Sequence, residues 1–237
     1  MSLAIILPTY NESENIRDLI LAIEGLNINP LILVIDDSSQ DGTQEIVRAL
    51  QREFNNIMLV VRPRKMGLGT AIREGFRILA SLPEKPEYVI TMDADFSHNP
   101  RDIPRIIEYA MKGYDVVVGS RYIRGGAIKG WGSTRIIISR IANKIAKALI
   151  KLPVNDFTSG FRCYSMRYIQ KAVPKLKSQR FEIQVELLKQ AQLLGMKVTE
   201  IPITFENRKR GRSKLTLKEI INFLIFAIKI SIHREYS

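Results

Sequence analysis

The stretch Tyr88-Val-Ile-Thr-Met-Asp-Ala-Asp95 is a short apolar run that ends in two carboxylates. The apolar part, residues 88–92, has the length of a buried β-strand rather than that of a helix. Asp93 and Asp95 then stand at the carboxyl end of this strand. Ligands of parallel α/β sheets bind beyond the carboxyl ends of the strands, so the stretch predicts a site as well as a strand.

The same pattern of an apolar run followed by polar residues recurs along the chain. It predicts further strands at residues 3–8, 31–35, 57–61, 115–119 and 197–205. Helical spacing of apolar residues predicts helices at residues 12–25, 41–53, 67–80, 100–111, 133–152, 181–194 and 216–232. Strands that alternate with such helices indicate an α/β fold with a mostly parallel, Rossmann-like sheet flanked by helices. We expect one domain over residues 1–215 and an amphipathic C-terminal helix within residues 216–237.

The charge of the chain is unevenly distributed. The 237 residues carry a formal net charge of +12, with 46% apolar and 25% charged side chains, a composition typical of globular proteins. Residues 1–120 contain 12 basic and 17 acidic side chains, whereas residues 121–180 contain 14 basic and one acidic. This division predicts an anion-binding part joined to an acidic part. Nucleic-acid binding is the alternative, but residues 121–180 have few aromatic side chains for base stacking.

Several features of the sequence concern the compartment. A single cysteine, Cys163, excludes an internal disulfide and favours a reducing cytoplasm. The N-terminus lacks the basic segment of a secretory signal. The apolar run at residues 220–232 is shorter than the roughly 20 residues needed to span a bilayer. We therefore expect a cytoplasmic protein, attached at most peripherally to the cytoplasmic face of the membrane.

Paired carboxylates at a strand end suit a hard divalent cation. Asp93 and Asp95 are predicted to bind Mg²⁺ or Mn²⁺, which would in turn bind a diphosphate; the alternative is a solvated turn. Asp36 and Asp37 end an earlier strand, where they could bind a nucleoside or form an Asx turn. Because Asp41 is predicted to cap the next helix, Asp36 and Asp37 are expected to be available to a ligand.

The usual nucleotide-binding motifs are absent. No Gly-x-Gly-x-x-Gly follows the first strand, and no Gly-x₄-Gly-Lys-Ser/Thr occurs. Instead, several motifs in order and spacing resemble glycosyltransferase family 2, and within it the dolichyl-phosphate mannose synthases. They are Pro8-Thr-Tyr-Asn-Glu, Val34-Ile-Asp-Asp-Ser-Ser, Gly67-Leu-Gly, Met92-Asp-Ala-Asp, Gly119-Ser-Arg-Tyr, Asp156-x-Thr-Ser-Gly-Phe and Arg208-x-Arg-Gly-x-Ser-Lys214.

The resemblance, which spans about residues 3–215, implies a GT-A fold and a metal-dependent, inverting transferase. The implied reaction moves mannose from GDP-mannose, a nucleotide sugar donor, to dolichyl or another polyprenyl phosphate at a membrane surface, as in protein glycosylation. A polyprenyl-phosphate glucosyltransferase that uses UDP-glucose is the nearest rival, and a metal-free sugar-nucleotide-binding module is another. The donor-binding residues implied by the family motifs are Pro8, Tyr10, Glu12, Asp37, Gly67, Asp93, Ala94, Asp95, Arg208, Arg210 and Lys214.

The basic residues supply candidates for the acceptor site. Arg121 and Arg135, with Ser139 one turn further on, are expected to bind the acceptor phosphate, because arginine binds phosphate with two parallel hydrogen bonds. A phosphate acceptor is already anionic near neutral pH and needs no general base. Asp156 is therefore expected to orient an arginine or the acceptor, with a base role as the other option. The expected catalytic set is Asp95, Arg121, Asp156 and Arg210.

Three further expectations concern neighbouring positions. Ser97 stands where the family often has Gln, so its contact with a metal would need a bridging water. His98 could approach the metal, although a surface turn residue is the favoured prediction, and Trp131 is predicted to be either a core residue or an interfacial anchor. The helices at residues 134–151 and 216–232 are expected to lie in a membrane interface, unless they pack on the sheet.

Overall fold

A computed structural model of the chain describes residues 2–207, together with Phe226 and Ile228. Nine strands lie within the described residues: β1 (Leu3–Thr9), β2 (Leu31–Asp36), β3 (Ile57–Val61), β4 (Tyr88–Thr91), β5 (Val116–Ser120), β6 (Ala127–Lys129), β7 (Arg162–Ser165), β8 (Val198–Pro202) and β9 (Thr204–Glu206). Within residues 2–207 there are also seven α-helices: α1 (Ile16–Glu24), α2 (Thr43–Glu53), α3 (Leu68–Ser81), α4 (Ile103–Met111), α5 (Ser133–Ile150), α6 (Met166–Ala172) and α7 (Ile183–Leu193).

In the part of the chain that the structure describes, the main sheet has seven strands in the order β3-β2-β1-β4-β7-β5-β8. All neighbouring strands are parallel except at β7, which runs antiparallel between β4 and β5. The predicted mostly parallel α/β sheet is therefore confirmed. The sequence did not predict β7, because its four residues begin with an arginine and end with a serine, so they show no apolar run.

Helices cover both faces of this sheet. Along β1, Ala4 and Ile6 face one core, while Leu3, Ile5 and Leu7 face the other, as the period of two in a strand requires. The first core receives buried residues of α3, α5, α6 and α7. The second receives those of α1, α2 and α4. Because both faces are covered, β1, β2 and β3 are largely apolar and lack polar alternation.

The last predicted strand, residues 197–205, is in fact two strands. β8 ends at Pro202, and β9 leaves the main sheet to pair in parallel with β6. The two-stranded sheet β6-β9 lies beside the carboxyl ends of the main sheet, where the Glu206 amide donates to the Ser97 carbonyl. The break at Ile203 thus brings Phe205 to the end of the sheet that carries the polar clusters.

The predicted basic loop at residues 207–214 and the helix at 216–232 lie outside the described residues, apart from Asn207, Phe226 and Ile228. Phe226 is helical and packs against the core that contains α3 and α5. Of the helices that the structure describes, none combines the length and apolar character needed to cross a membrane.

Candidate active site

A cavity of about 910 Å³ lies at the carboxyl ends of the parallel strands. Most of the predicted site residues line it, namely Pro8, Tyr10, Glu12, Asp37, Gly67, Asp93, Ala94, Asp95, Arg121, Arg135 and Ser139. Asp156 lies behind Arg121 and is fully buried. Arg208, Arg210 and Lys214 lie outside the described residues. The site is thus assembled from strand ends that are far apart in the sequence.

Three turns at this end of the sheet contain non-glycine residues in the left-handed region. Asn11 follows β1, Ser38 follows β2 and Phe96 follows β4, with φ values of 53°, 56° and 60°. Such conformations cost free energy and persist where the surroundings impose them, often at functional sites. Here they turn the chain sharply after each strand, which leaves the preceding polar side chains at the cavity.

The two aspartates after β2 have different environments. Asp36 is fully buried and accepts hydrogen bonds from Thr9, Ser39 and Gln44, so it stabilises the turn and the expectation that it is available to a ligand is wrong. Asp37 does line the cavity. Its Oδ2 accepts from the Met66 and Gly67 amides, at 3.1 and 3.0 Å.

Asp37 also pairs with the buried guanidinium of Arg62. Arg62 donates to Thr70 Oγ1 (2.6 Å) and to the Gly67 carbonyl (3.2 Å). This ion pair therefore fixes the loop between β3 and α3. On that loop, the Lys65 ammonium lies 4.0 Å from the centre of the Tyr10 ring, at the side of the cavity where the family motifs imply a nucleoside.

Gly67 is required by the close approach of a second loop, residues 177–181. Its φ is +96°, and a Cβ atom there would lie 2.6 Å from the Gln179 carbonyl oxygen. That carbonyl accepts a hydrogen bond from the Gly69 amide at 3.0 Å. The buried carboxylate of Glu186 in turn accepts the amides of residues 177 and 178. The glycine motif thus allows backbone packing at the cavity wall.

Asp93 and Asp95 form the acidic end of the cavity. The Asp93 side chain is 37% exposed, whereas Asp95 is buried and accepts from both the amide and the hydroxyl of Ser97. Ser97 therefore supports Asp95. No group of three or more His, Cys, Asp or Glu ligands occurs among the described residues.

The donor set at this end fits Mg²⁺ or Mn²⁺ in the presence of a diphosphate. Mg²⁺ is commonly bound through one or two carboxylates, with water and substrate phosphates as the other ligands. Gly160 leaves space beside Asp93, because a Cβ atom there would lie 3.3 Å from Asp93 Oδ1. Asp93, Asp95 and the space beside Gly160 can therefore accommodate a divalent cation bound to a diphosphate without a third protein ligand.

His98 is buried, contrary to the expectation of a surface turn residue. Its ring stacks on Phe161 at 5.2 Å between centres and meets the edge of Phe205 at 5.4 Å. Burial lowers its pKa to about 4, although Asp95 opposes this shift, so the ring is neutral at pH 7. Its Nδ1 accepts from the Asp93 amide at 3.2 Å, which fixes the start of the carboxylate turn.

Arg121 and Asp156 form a buried ion pair at the basic end of the cavity, where the charge of Arg121 still interacts with that of Asp93. Asp156 Oδ2 accepts from Arg121 Nε and Oδ1 from Nη2, both at 2.7 Å, and Nη2 also donates to Thr158. Burial alone would raise the pKa of the Asp156 carboxyl, but the Arg121 charge and its hydrogen bonds keep that pKa below its ordinary value. A carboxylate held in this way orients Arg121 and is poorly suited to accept a proton.

Ser139 and Arg135 extend this basic end along α5. The Tyr122 hydroxyl donates to Ser139 Oγ at 2.7 Å. Asn143, one turn later, donates to Thr158 and accepts from the Phe157 amide, which ties α5 to the loop that carries Asp156. The Arg135 guanidinium lies 3.8 Å from the centre of the Trp131 ring. The cavity is therefore lined both by the two carboxylates that follow β4 and by two arginines.

Comparison with known proteins agrees with this arrangement. The sequence profile of glycosyl transferase family 2 matches residues 4–173. The chain belongs to glycosyltransferase family 2. The predicted family is thereby confirmed, and the matched residues include every strand end described above except those of β8 and β9.

Two curated relatives are similar over most of the chain. The chain is 33% identical to the polyprenol monophosphomannose synthase of Mycolicibacterium smegmatis, over 90% of this chain and 80% of that protein. It is 34% identical to the dolichol-phosphate mannosyltransferase of Pyrococcus furiosus, over 94% of this chain but 62% of that protein. Both relatives fall in the group to which the sequence motifs pointed.

The fold is also found in a solved glycosyltransferase. Glucosyl-3-phosphoglycerate synthase from Mycobacterium tuberculosis, solved with Mn²⁺, UDP and phosphoglyceric acid, superposes with a TM-score of 0.73. The match covers 98% of this chain and 78% of that one at 17% identity. The predicted GT-A fold is therefore confirmed.

Proposed function

We propose that this enzyme transfers mannose from GDP-mannose to a polyprenyl phosphate, such as dolichyl phosphate, with inversion at the anomeric carbon. The observation that carries the proposal is that one cavity is lined both by the paired carboxylates Asp93 and Asp95 and by Arg121 and Arg135. Such a cavity offers carboxylates for a metal-bound diphosphate and, in addition, guanidinium groups for an anionic acceptor. The names of the two curated relatives support the choice of mannose and of a polyprenyl phosphate.

In this proposal the donor lies along the ends of β1, β2 and β4. Tyr10 and Asp37, with Pro8 and Glu12, line the nucleoside end. Asp93 and Asp95 would hold Mg²⁺ or Mn²⁺, which when bound would screen the charge that develops on the departing diphosphate. Arg208, Arg210 and Lys214 are proposed to complete the donor site, with Arg210 also stabilising the leaving group.

The acceptor phosphate is proposed to bind at Arg121, Arg135 and Ser139. Arg121 is held rigidly by Asp156, so its remaining terminal nitrogen, Nη1, points its donors in a defined direction. The acceptor oxygen is anionic near neutral pH and attacks the anomeric carbon directly, so no residue has to remove a proton. The engagement of both Asp156 oxygens by Arg121 is consistent with a reaction that lacks a general base.

We further propose that α5 rests on the membrane surface that carries the acceptor. Its buried face consists of Ser139, Ala142, Asn143, Ala146 and Ile150. Ile137 and Ile141 on another face are 57% and 50% exposed, next to the exposed basic residues Arg140 and Lys144. An apolar strip flanked by basic side chains is the pattern of interfacial helices. Attachment would be peripheral, on the cytoplasmic face.

The test is product formation by the purified chain with a polyprenyl phosphate in detergent. GDP-mannose and UDP-glucose are compared as donors, with Mg²⁺, Mn²⁺ or a chelator. We expect mannosyl transfer from GDP-mannose that the chelator abolishes. Faster transfer from UDP-glucose would favour the rival glucosyltransferase, and absence of any lipid-linked product would reject both functions.

Variants of the acidic end test the metal-binding residues. Asp93→Asn and Asp95→Asn should each lower kcat by about 10²-fold or more, because each removes a charge that stabilises the leaving diphosphate. Glu108→Gln, at an exposed ion pair on α4, is the matched control and should leave the rate unchanged. Wild-type rates in both aspartate variants would contradict the metal site.

A further inference from the structure

Trp131 lies in the wall of the cavity, in the short segment between β6 and α5. One face of its indole ring is covered by the Arg135 guanidinium, whose central carbon is 3.8 Å from the ring centre. The Arg121 guanidinium is 5.4 Å from the same ring centre. The edge-to-face contact with Phe205, at 5.3 Å, fixes the orientation of the ring. The two arginines at the basic end of the cavity therefore share one aromatic neighbour.

Arg135 needs such a neighbour for two physical reasons. It is in the first turn of α5, where the helix dipole disfavours a positive charge. Its long side chain also has considerable rotamer freedom, which binding a ligand would otherwise have to remove. Stacking a guanidinium on an indole within about 6 Å stabilises its positive charge and also restricts the rotamers of the arginine side chain.

Arg121 is surrounded by three aromatic rings. The centres of the Tyr122 and Phe205 rings lie 5.3 and 5.4 Å from its central carbon, in addition to that of Trp131. Asp156 and Thr158 bind one edge of the guanidinium through Nε and Nη2. Because Asp156 and Thr158 already fix the Nε and Nη2 atoms of Arg121, the three rings define the surroundings of its remaining terminal nitrogen, Nη1.

We propose that Trp131 is a positioning residue that holds Arg135, and with Phe205 the Arg121 guanidinium, in the arrangement that receives the acceptor phosphate. Two guanidinium groups near one ring repel each other, and the negative face of the indole ring offsets part of this repulsion. When a phosphate dianion binds, its charge takes over this role. The residue acts through the arginines and does not take part in the chemistry. The identity of the phosphate as that of a polyprenyl acceptor rests on the proposed function.

Trp131 is the one tryptophan of the chain, so its fluorescence reports directly on this site. Wild-type protein is titrated with farnesyl phosphate and, separately, with farnesol. We expect the emission to change with farnesyl phosphate and not with the uncharged alcohol. Arg135→Ala should alter the emission of the free protein and weaken the response, whereas Arg48→Ala, at an exposed arginine of α2, should do neither.

Kinetics of Trp131→Leu and Trp131→Phe test the role in the reaction. The leucine variant should raise the KM for the polyprenyl phosphate about tenfold, because it removes the cation–π contact that holds Arg135. The KM for the donor should change less than about twofold, and the phenylalanine variant, which keeps an aromatic face, should lie between wild type and leucine. In an Arg135→Ala background, Trp131→Leu should have little further effect, since its main partner is already gone.

The outcomes separate this inference from the proposed function. A wild-type enzyme that makes product but shows no emission change with farnesyl phosphate would overturn the role of Trp131 alone. Equal increases in both KM values, or full additivity with Arg135→Ala, would also overturn it. An emission response without any lipid-linked product would support the phosphate site and reject the proposed function. If Trp131→Leu does not fold, the KM values of Trp131→Phe and the fluorescence titration of the wild type test the role of Trp131 instead.

Discussion

The carboxylate of Asp156 compensates the positive charge of a buried arginine. Removing one partner of a buried ion pair leaves the other charge uncompensated, at a cost of about 3–5 kcal/mol. We therefore expect Asp156→Asn to lower the free energy of unfolding by this amount, measured by urea denaturation, and to slow transfer by misplacing Arg121. Glu108→Gln, which breaks an exposed pair with Lys112, should cost less than about 1 kcal/mol. Equal losses in the two variants would contradict a buried pair.

At the scale of single residues, the sequence predicted which side chains line the cavity better than it predicted which side chains are buried. Asp93 and Asp95 were predicted from their place after a strand, and both line the cavity. The burial of His98 was not predictable, because the two rings that enclose it come from residues 161 and 205. The aromatic neighbours of Trp131 come from equally distant positions. Local sequence contains no signal for a contact of this kind, whereas the motif order does identify the family.

At the scale of elements, Asp115 joins three segments around the unpredicted strand β7. Its carboxylate accepts hydrogen bonds from Ser165 at the end of β7 (2.8 Å), from Arg167 in α6 (2.7 Å) and from the Lys197 amide before β8 (3.1 Å). Asp115→Asn keeps the shape of the side chain but removes its charge. We expect a loss of about 2 kcal/mol in the free energy of unfolding at pH 7, the usual worth of hydrogen bonds to a charged group.

The same variant tests the pH dependence of this junction. Burial raises the pKa of the Asp115 carboxyl, but the Arg167 and Ser165 hydrogen bonds outweigh it and lower that pKa below 3.8. As the pH falls, the unfolded chain takes up the proton first, so the stabilisation is complete above the unfolded pKa and is lost below it. The difference between wild type and Asp115→Asn should thus be constant near neutral pH and shrink below about pH 4. A difference that grows on acidification would contradict the assignment.

The elements that the sequence predicted well are those with a long periodic pattern. The helices α2, α3 and α5 begin and end within about two residues of the predicted bounds. β7 and the division between β8 and β9 were missed, since both depend on which strands are neighbours in the sheet. Pairing of distant segments is a tertiary property, and a strand of four residues contributes too little pattern to reveal it.

At the scale of the whole molecule, the excess of positive charge in residues 121–180 includes Arg140 and Lys144, which form an exposed basic stripe on α5. Substitutions in this stripe test the proposed membrane surface. Arg140→Glu with Lys144→Glu should reduce binding to vesicles of phosphatidylcholine and phosphatidylglycerol at least tenfold at low salt, since each basic residue contributes about 1 kcal/mol near an anionic membrane. The matched control is Arg48→Glu with Arg52→Glu, which makes the same change in net charge on exposed positions of α2. Binding is measured by co-sedimentation, and it should weaken as salt screens the attraction.

Equal losses in the two double variants would mean that net charge alone drives binding. Wild-type binding that is as strong to pure phosphatidylcholine would exclude an electrostatic contribution of the stripe. If the first variant alone detaches from vesicles yet keeps wild-type turnover on acceptor in detergent, α5 delivers the enzyme to its lipid substrate while the cavity performs the transfer.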